Sequence, residues 1–215
     1  MSATTTITIP ELLEEITQDI FRLTYVVDTF RYLYASEKRH VDVLNATSGD
    51  FFLMTQRLMF DDAILAISRL TDPAGNKHQE NVSLEQLLAA TRWEVTDPPR
   101  WRQYRTALDD VETVCKPCRD HRNKRVSHKA VSVLQKTFAL PVASLRMIDA
   151  PLKAIQEFVR EIRISLGDGD LSFEIITLED HAERLMRHLT NRASQKEPDA
   201  ISLILFTSGR RLSRP

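Results

Sequence analysis

The chain has 215 residues, 42% of them apolar and 27% charged, with 29 basic against 30 acidic side chains. That is enough for one sizeable core, too apolar for global disorder and too evenly charged to coat nucleic acid through bulk charge. With 5 Gly, 9 Pro and 2 Cys, and apolar runs well short of the ~18 residues of a membrane span, a soluble all-α protein of the reducing cytoplasm is expected, not a β barrel, a disulfide scaffold or a membrane protein.

Pro10 followed by Glu11, Glu14 and Glu15 reads as a helix start, with proline in the first turn and carboxylates at the positive end of the dipole. Leu12, Leu13, Ile16, Ile20, Leu23, Val27, Phe30 and Leu33 recur at spacings of three and four and predict a helix over about 11–38. A polar connection, Asn45 to Asp50, precedes a second long helix over 51–71, which ends in the turn chemistry of Asp72-Pro73-Ala74-Gly75-Asn76. Ser83-Leu84-Glu85-Gln86 has the form of a capping box opening a short helix through Ala90. Asp97-Pro98-Pro99 starts a helix that runs toward His128, Asp149 with Pro151 starts another that ends near Gly167, and Thr177 to Asp180 starts a last one reaching Asn191. The pattern is an all-α bundle of five to seven helices over residues 1–192. Residues 193–215 form a C-terminal extension. Its apolar run Ile201 to Phe206 fits either a strand or a docked helix turn, and it ends in the basic tail Gly209 to Arg214.

The familiar phosphate loops, nucleophile elbows and metalloprotease motifs are absent from the sequence, and no metal cage or cofactor motif is visible. One segment stands apart. Between Cys115 and Lys129, the cations Lys116, Arg119, Arg122, Lys124, Arg125 and Lys129 face the single acid Asp120, with His121 and His128 among them. Arginine offers planar donors suited to phosphate oxygens, and histidine titrates nearest neutral pH. A solvated basic helix end is the plain alternative.

At about 100° per residue, Leu108, Val111, Cys115 and Cys118 form one apolar stripe, and the same phase carries Arg122 inward. An inward arginine is costly unless paired or needed, so Arg122 reads as a working residue or as an interface residue partnered by an acid. His128 lies about 120° away on a continuous helix, so the two converge only if the helix ends or bends between them. His121, Arg125 and His128 share a face directly, which makes Arg125 a competitor for the same role.

Arg122-Asn123-Lys124-Arg125-Val126-Ser127-His128 resembles the arginine, polar residue, spacer, histidine motif of the HEPN superfamily (higher-eukaryote and prokaryote nucleotide-binding domains). Tyr32 to Ala35, Phe51-Phe52, Asp61 to Pro73 and Asn81 to Leu84 precede it in an order similar to the abortive-infection, AbiU-type branch, over about residues 11–192. The resemblance implies an all-α domain that forms a two-fold dimer and acts as a metal-independent endoribonuclease in a toxin–antitoxin or abortive-infection system, or alternatively a non-catalytic module that binds RNA, nucleotide or protein. Carried over, the catalytic set is Arg122, His128 and the polar Asn123, with Arg119, Lys124, Arg125, Lys129 and His121 as RNA contacts. RNA, a second copy, and an antitoxin or nucleotidyltransferase are the implied partners. Some toxins of this kind carry a modifiable tyrosine two residues after the histidine, where this chain has Ala130.

Other residues read more plainly. Cys115-Lys116-Pro117-Cys118 has the form of a redox pair but follows no strand, and core packing of two small thiols is favoured. His181 and His188 are two helical turns apart, too far to share a metal unaided. Asp61-Asp62 either caps a buried arginine such as Arg69 or Arg122 or lines the site, with the structural salt bridge favoured, and Arg69 with Asp72 is expected to tie down the turn at Pro73.

Overall fold

A computed structural model describes residues 7–76, 79–92, 97–127, 130–135, 139–174 and 178–193. His128, Lys129, Thr177, the Ile201–Phe206 run and the basic tail lie outside the described residues. Seven α-helices are present among those described: α1 (Ile9–Tyr34), α2 (Lys38–Leu70), α3 (Leu84–Thr91), α4 (Pro98–His121), the single-turn α5 (Val131–Leu134), α6 (Leu145–Ser165) and α7 (Leu178–Ala193). A two-residue antiparallel pairing, Gly75–Asn76 with Gln79–Glu80, decorates the α2–α3 connection.

Helix α1 starts where the sequence predicts. The Thr8 N–H donates to Glu11 at 2.8 Å and the Glu11 N–H donates to the Thr8 hydroxyl at 3.4 Å, a reciprocal capping box. The Glu11 carboxylate accepts from both the Thr8 N–H and, at 2.7 Å, the Thr8 hydroxyl, and these two bonds hold it below its ordinary pKa. The predicted apolar series of α1 is buried as one face.

Helix α2 narrows the sequence reading. The expected connection over Asn45 to Asp50 contracts to a kink at Ser48, whose φ of −166° and ψ of 81° are non-helical, with helix on both sides of it. Ser and Gly at 48 and 49 form helix poorly, but Leu44 and Phe52 on either side bury in one cluster with Leu33 and Met186, so helix forms again after a single non-helical residue. The turn that the sequence reading misses is the short link between Tyr34 and Lys38, which ends α1 before the expected residue 38.

Cross-links fix the arrangement. Arg22 to Asp62 and Arg69 to Asp19 run α2 antiparallel to α1. Gln156 to Thr24 and Arg163 to Thr17 run α6 antiparallel to α1. Helix α4 packs against both α2 and α6, completing a four-helix bundle that α3 and α7 flank. Its core joins Ile16, Ile20, Leu23, Ile64, Ile67, Leu108, Cys115, Ile155 and Val159. No helix among the described residues is long and apolar enough to cross a membrane.

Helix α6 begins at Leu145, four residues before the predicted Asp149, and takes Pro151 into its interior. A proline there has no N–H to give, so the Met147 carbonyl loses its helical donor. The Cys118 thiol of α4 supplies a replacement, its Sγ 3.2 Å from that oxygen. The end falls as expected: Gly167 takes φ +75°, while the Gly167 and Asp168 N–H groups bond back to Ile164 and Arg163 in a Schellman closure.

Candidate functional site

The apolar stripe of α4 is buried as its phase predicts, from Leu108 through Val111 and Cys115 to Cys118. The two cysteines are free thiols at 0% exposure. Burial pushes both pKa values up, that of Cys118 to about 12, so neither supplies a thiolate near neutral pH. They pack the α4–α6 seam, the role the sequence favours.

Immediately afterwards the helix changes character. Arg122–Val126 forms a π-helical turn, closed by the Ser127 N–H donating to the Arg122 carbonyl at 2.8 Å. Such turns widen the backbone and recur at functional sites. This is a change of helical course between Arg122 and the position of His128, the condition on which their convergence depends.

Arg122 emerges here from the apolar stripe with its side chain 22% exposed, and its partner is Asp72, equally exposed. Nη1 lies 2.8 and 2.7 Å from the two carboxylate oxygens, while Nε donates to Asn123 Oδ1 at 3.0 Å. The polar residue after the arginine is therefore in contact with it.

The flanking cations are engaged as well. Arg119 donates to the Thr71 carbonyl at 3.2 Å and to the Glu112 carbonyl at 2.8 Å, clasping the C-terminal end of α2, where the helix dipole favours a cation. Arg125 pairs with Asp61, and its Nε donates to His121 Nδ1 at 3.3 Å. His121 is 3% exposed, and its Nε2 donates to the Pro141 carbonyl at 2.7 Å, which fixes the Nε2-protonated tautomer with Nδ1 as acceptor. Lys116 bridges to Asp120 at 2.7 Å.

The structure thus brings Arg122, Asn123, Arg125 and Arg119 together along one side of α2 and places His121 beneath them as a packing residue. Lys124 lies on the same turn, half-buried, with its carbonyl accepting from the Ala130 N–H at 3.1 Å. His181 and His188 sit apart on an exposed face of α7. Among the described residues no cluster of three metal-ligating side chains occurs.

The acid pairings depart from the expected ones. Asp61 holds Arg125, Asp62 holds Arg22, Arg69 pairs with Asp19, and Asp72 belongs to Arg122. The sequence reading gives Asp72 only to the turn at Pro73 and misses its pairing with Arg122. Its partner lies fifty positions away, and the only local signal was an acid left over at the end of an apolar helix.

The profile of the HEPN family AbiU2 matches residues 8–189, spanning the bundle and the Arg122–His128 motif. No curated protein and no solved structure matches the chain. With the profile covering nearly the whole helical bundle, the chain belongs to the AbiU2 family, an abortive-infection-related branch of the HEPN domains.

Proposed function

We propose that this protein is a metal-independent endoribonuclease of an abortive-infection or toxin–antitoxin system, acting in the cytoplasm as a two-fold dimer. The observation that carries the reading is Arg122: an arginine of the motif, set at a π-turn at the end of the bundle, partly open to solvent and held by named partners. In this mechanism one histidine removes the proton from a ribose 2′-OH, which attacks the adjacent phosphorus, while an acid protonates the departing 5′-oxygen. Two copies of His128 across the two-fold axis supply base and acid. Arg122 stabilises the charge that builds on the non-bridging oxygens. Asn123 fixes the Arg122 side chain, and Arg125, Lys124 and Lys129 contact flanking phosphates. Because the nucleophile belongs to the ribose, DNA is inert and the product ends in a 2′,3′-cyclic phosphate.

An antitoxin would restrain such an enzyme. Ala130 offers no hydroxyl for a nucleotidyltransferase to modify, so restraint by direct binding suits this chain better. A second reading, a non-catalytic RNA- or nucleotide-binding module, draws on the ion pairs of Arg122 and Arg125, which already satisfy much of the cationic charge on the segment.

The test is incubation of wild-type and His128→Ala protein with labelled RNA in excess EDTA, followed by analysis of product ends. Cleavage by wild type alone, leaving 2′,3′-cyclic phosphate, is expected. RNA that stays intact, with binding retained by wild type and lost in Arg122→Ala, selects the binding module instead.

A further inference from the structure

We infer that Asp72 is the positioning residue of the site, turning Arg122 so that its remaining nitrogen, Nη2, faces the scissile phosphate. This inference rests on the ribonuclease reading above. A guanidinium is planar, so holding two of its three nitrogens fixes the direction of the third. Asp72 holds Nη1, with both carboxylate oxygens within 2.8 Å, and Asn123 holds Nε at 3.0 Å. Nη2 has no partner among the described residues.

The geometry differs from that of a bridge built for strength. A carboxylate that binds arginine most tightly uses a fork of two parallel N–H bonds to two nitrogens. Here both oxygens converge on Nη1 alone, which leaves Nη2 available at the edge of a half-open site. Asp72 is itself anchored. It follows the last turn of α2, its N–H donates to the Arg69 carbonyl at 3.1 Å, and the carbonyl of the preceding Thr71 is clasped by Arg119. Its ring-constrained neighbour Pro73 stiffens the exit from the helix. The end of α2 thereby sets the aim of a side chain at the end of α4.

An aligned donor and a merely structural salt bridge leave different kinetic traces. Asp72 carries negative charge near the substrate phosphate, so it contributes nothing to ground-state attraction and acts only by orienting Arg122. Asp72→Asn therefore leaves KM unchanged or lowers it while kcat falls, by about 10- to 100-fold, less than the full loss of an oxyanion donor. Asp72→Glu, which restores the charge on a longer arm, returns part of the kcat.

The experiment measures kcat and KM of wild type, Asp72→Asn, Asp72→Glu and, as a surface control, Asp170→Asn on one 5′-labelled single-stranded RNA of mixed sequence, with melting temperatures recorded alongside. A kcat loss at constant or lower KM, partial return in Asp72→Glu and a wild-type control support the assignment. Wild-type kcat in a folded Asp72→Asn overturns it and leaves the ribonuclease reading intact. If Asp72→Asn does not fold, a folded Asp72→Ser variant decides, since its short hydroxyl supplies no carboxylate to hold Nη1 and wild-type kcat there overturns the positioning role. A wild-type protein that cuts no RNA overturns the ribonuclease reading and this inference together.

Discussion

Two adjacent turns of one helical run show how little a motif says until its burial is known. Cys115 to Cys118 and Arg122 to Arg125 both carry reactive-looking side chains at short spacing. The first lies in regular α-helix, with both thiols wholly inside the α4–α6 seam. Its thiols are pushed toward the protonated form by the loss of solvent, and one of them serves as the hydrogen-bond donor that Pro151 withholds from Met147. The second lies in a π-turn where the same stripe leaves the core. Its guanidinium groups stay partly open and are held by carboxylates on α2 and just beyond its end. One turn spends its chemistry on the fold, and the other keeps chemistry in reserve.

Substitution gives the sharpest way to break that contrast. Arg122→Lys keeps the charge but loses the planar fork, so RNA cleavage falls by about 10²- to 10³-fold while the bundle still melts cooperatively. Cys118→Val does the reverse. It leaves cleavage unchanged and removes the donor from the buried Met147 carbonyl, costing about 1–3 kcal/mol of stability by urea titration. Loss of cleavage in a fully folded Cys118→Val protein would place the thiol turn in the working site and undo the distinction.

Alkaline stability tests the burial of the thiols directly, and its sign follows from the direction of the shift. In the unfolded chain a thiol loses its proton near its ordinary value of 9.0, whereas in the folded protein Cys118 holds it to about 12 and Cys115 is shifted the same way. The stabilisation is complete below the unfolded value and is lost as pH rises through the folded one. Each thiol lowers stability by about 1.4 kcal/mol per pH unit across that window. Unfolding free energies measured at pH 8, 9 and 10 should fall more steeply for wild type than for a Cys115→Ala, Cys118→Ala double variant. Parallel curves would mean that the folded thiols ionise as freely as unfolded ones.

Much of the bundle was legible because its signals are local. The Thr8–Glu11 box, the three- and four-residue spacing of α1, the stripe of α4 and the glycine ending α6 each depend on a few neighbouring residues. A break near Ser48 is legible from its Ser-Gly pair, but its narrowness is not, because the residues on either side of it, Leu44 and Phe52, are held by Leu33 and Met186 from other helices. The early start of α6 was hidden for a similar reason, since Pro151 is tolerated inside it only with help from α4. Arg122 was legible as an inward cation from helical phase alone. Asp72 was not, because periodicity carries no information about a partner fifty residues away, and the same limit scattered the expected pairings of Asp61, Asp62 and Arg69.

The smallest effect is expected at Lys116, which lies between the two cysteines in sequence yet belongs to neither turn's business. Its ammonium reaches Asp120 at 2.7 Å, with the lysine side chain 66% exposed. Two features weaken the pair. Lysine precedes the acid at i,i+4, the less favourable order, and Asp120 sits near the C-terminal end of α4, where the dipole disfavours a carboxylate. Lys116→Gln should therefore change stability by no more than about 0.3 kcal/mol, with the change fading as salt is raised. A loss of about 1 kcal/mol or more, persisting in high salt, would show that exposed cations here are tied into the scaffold as firmly as Arg119. The division would then follow the segment as a whole, and the degree to which each side chain is withdrawn from water would no longer decide its role.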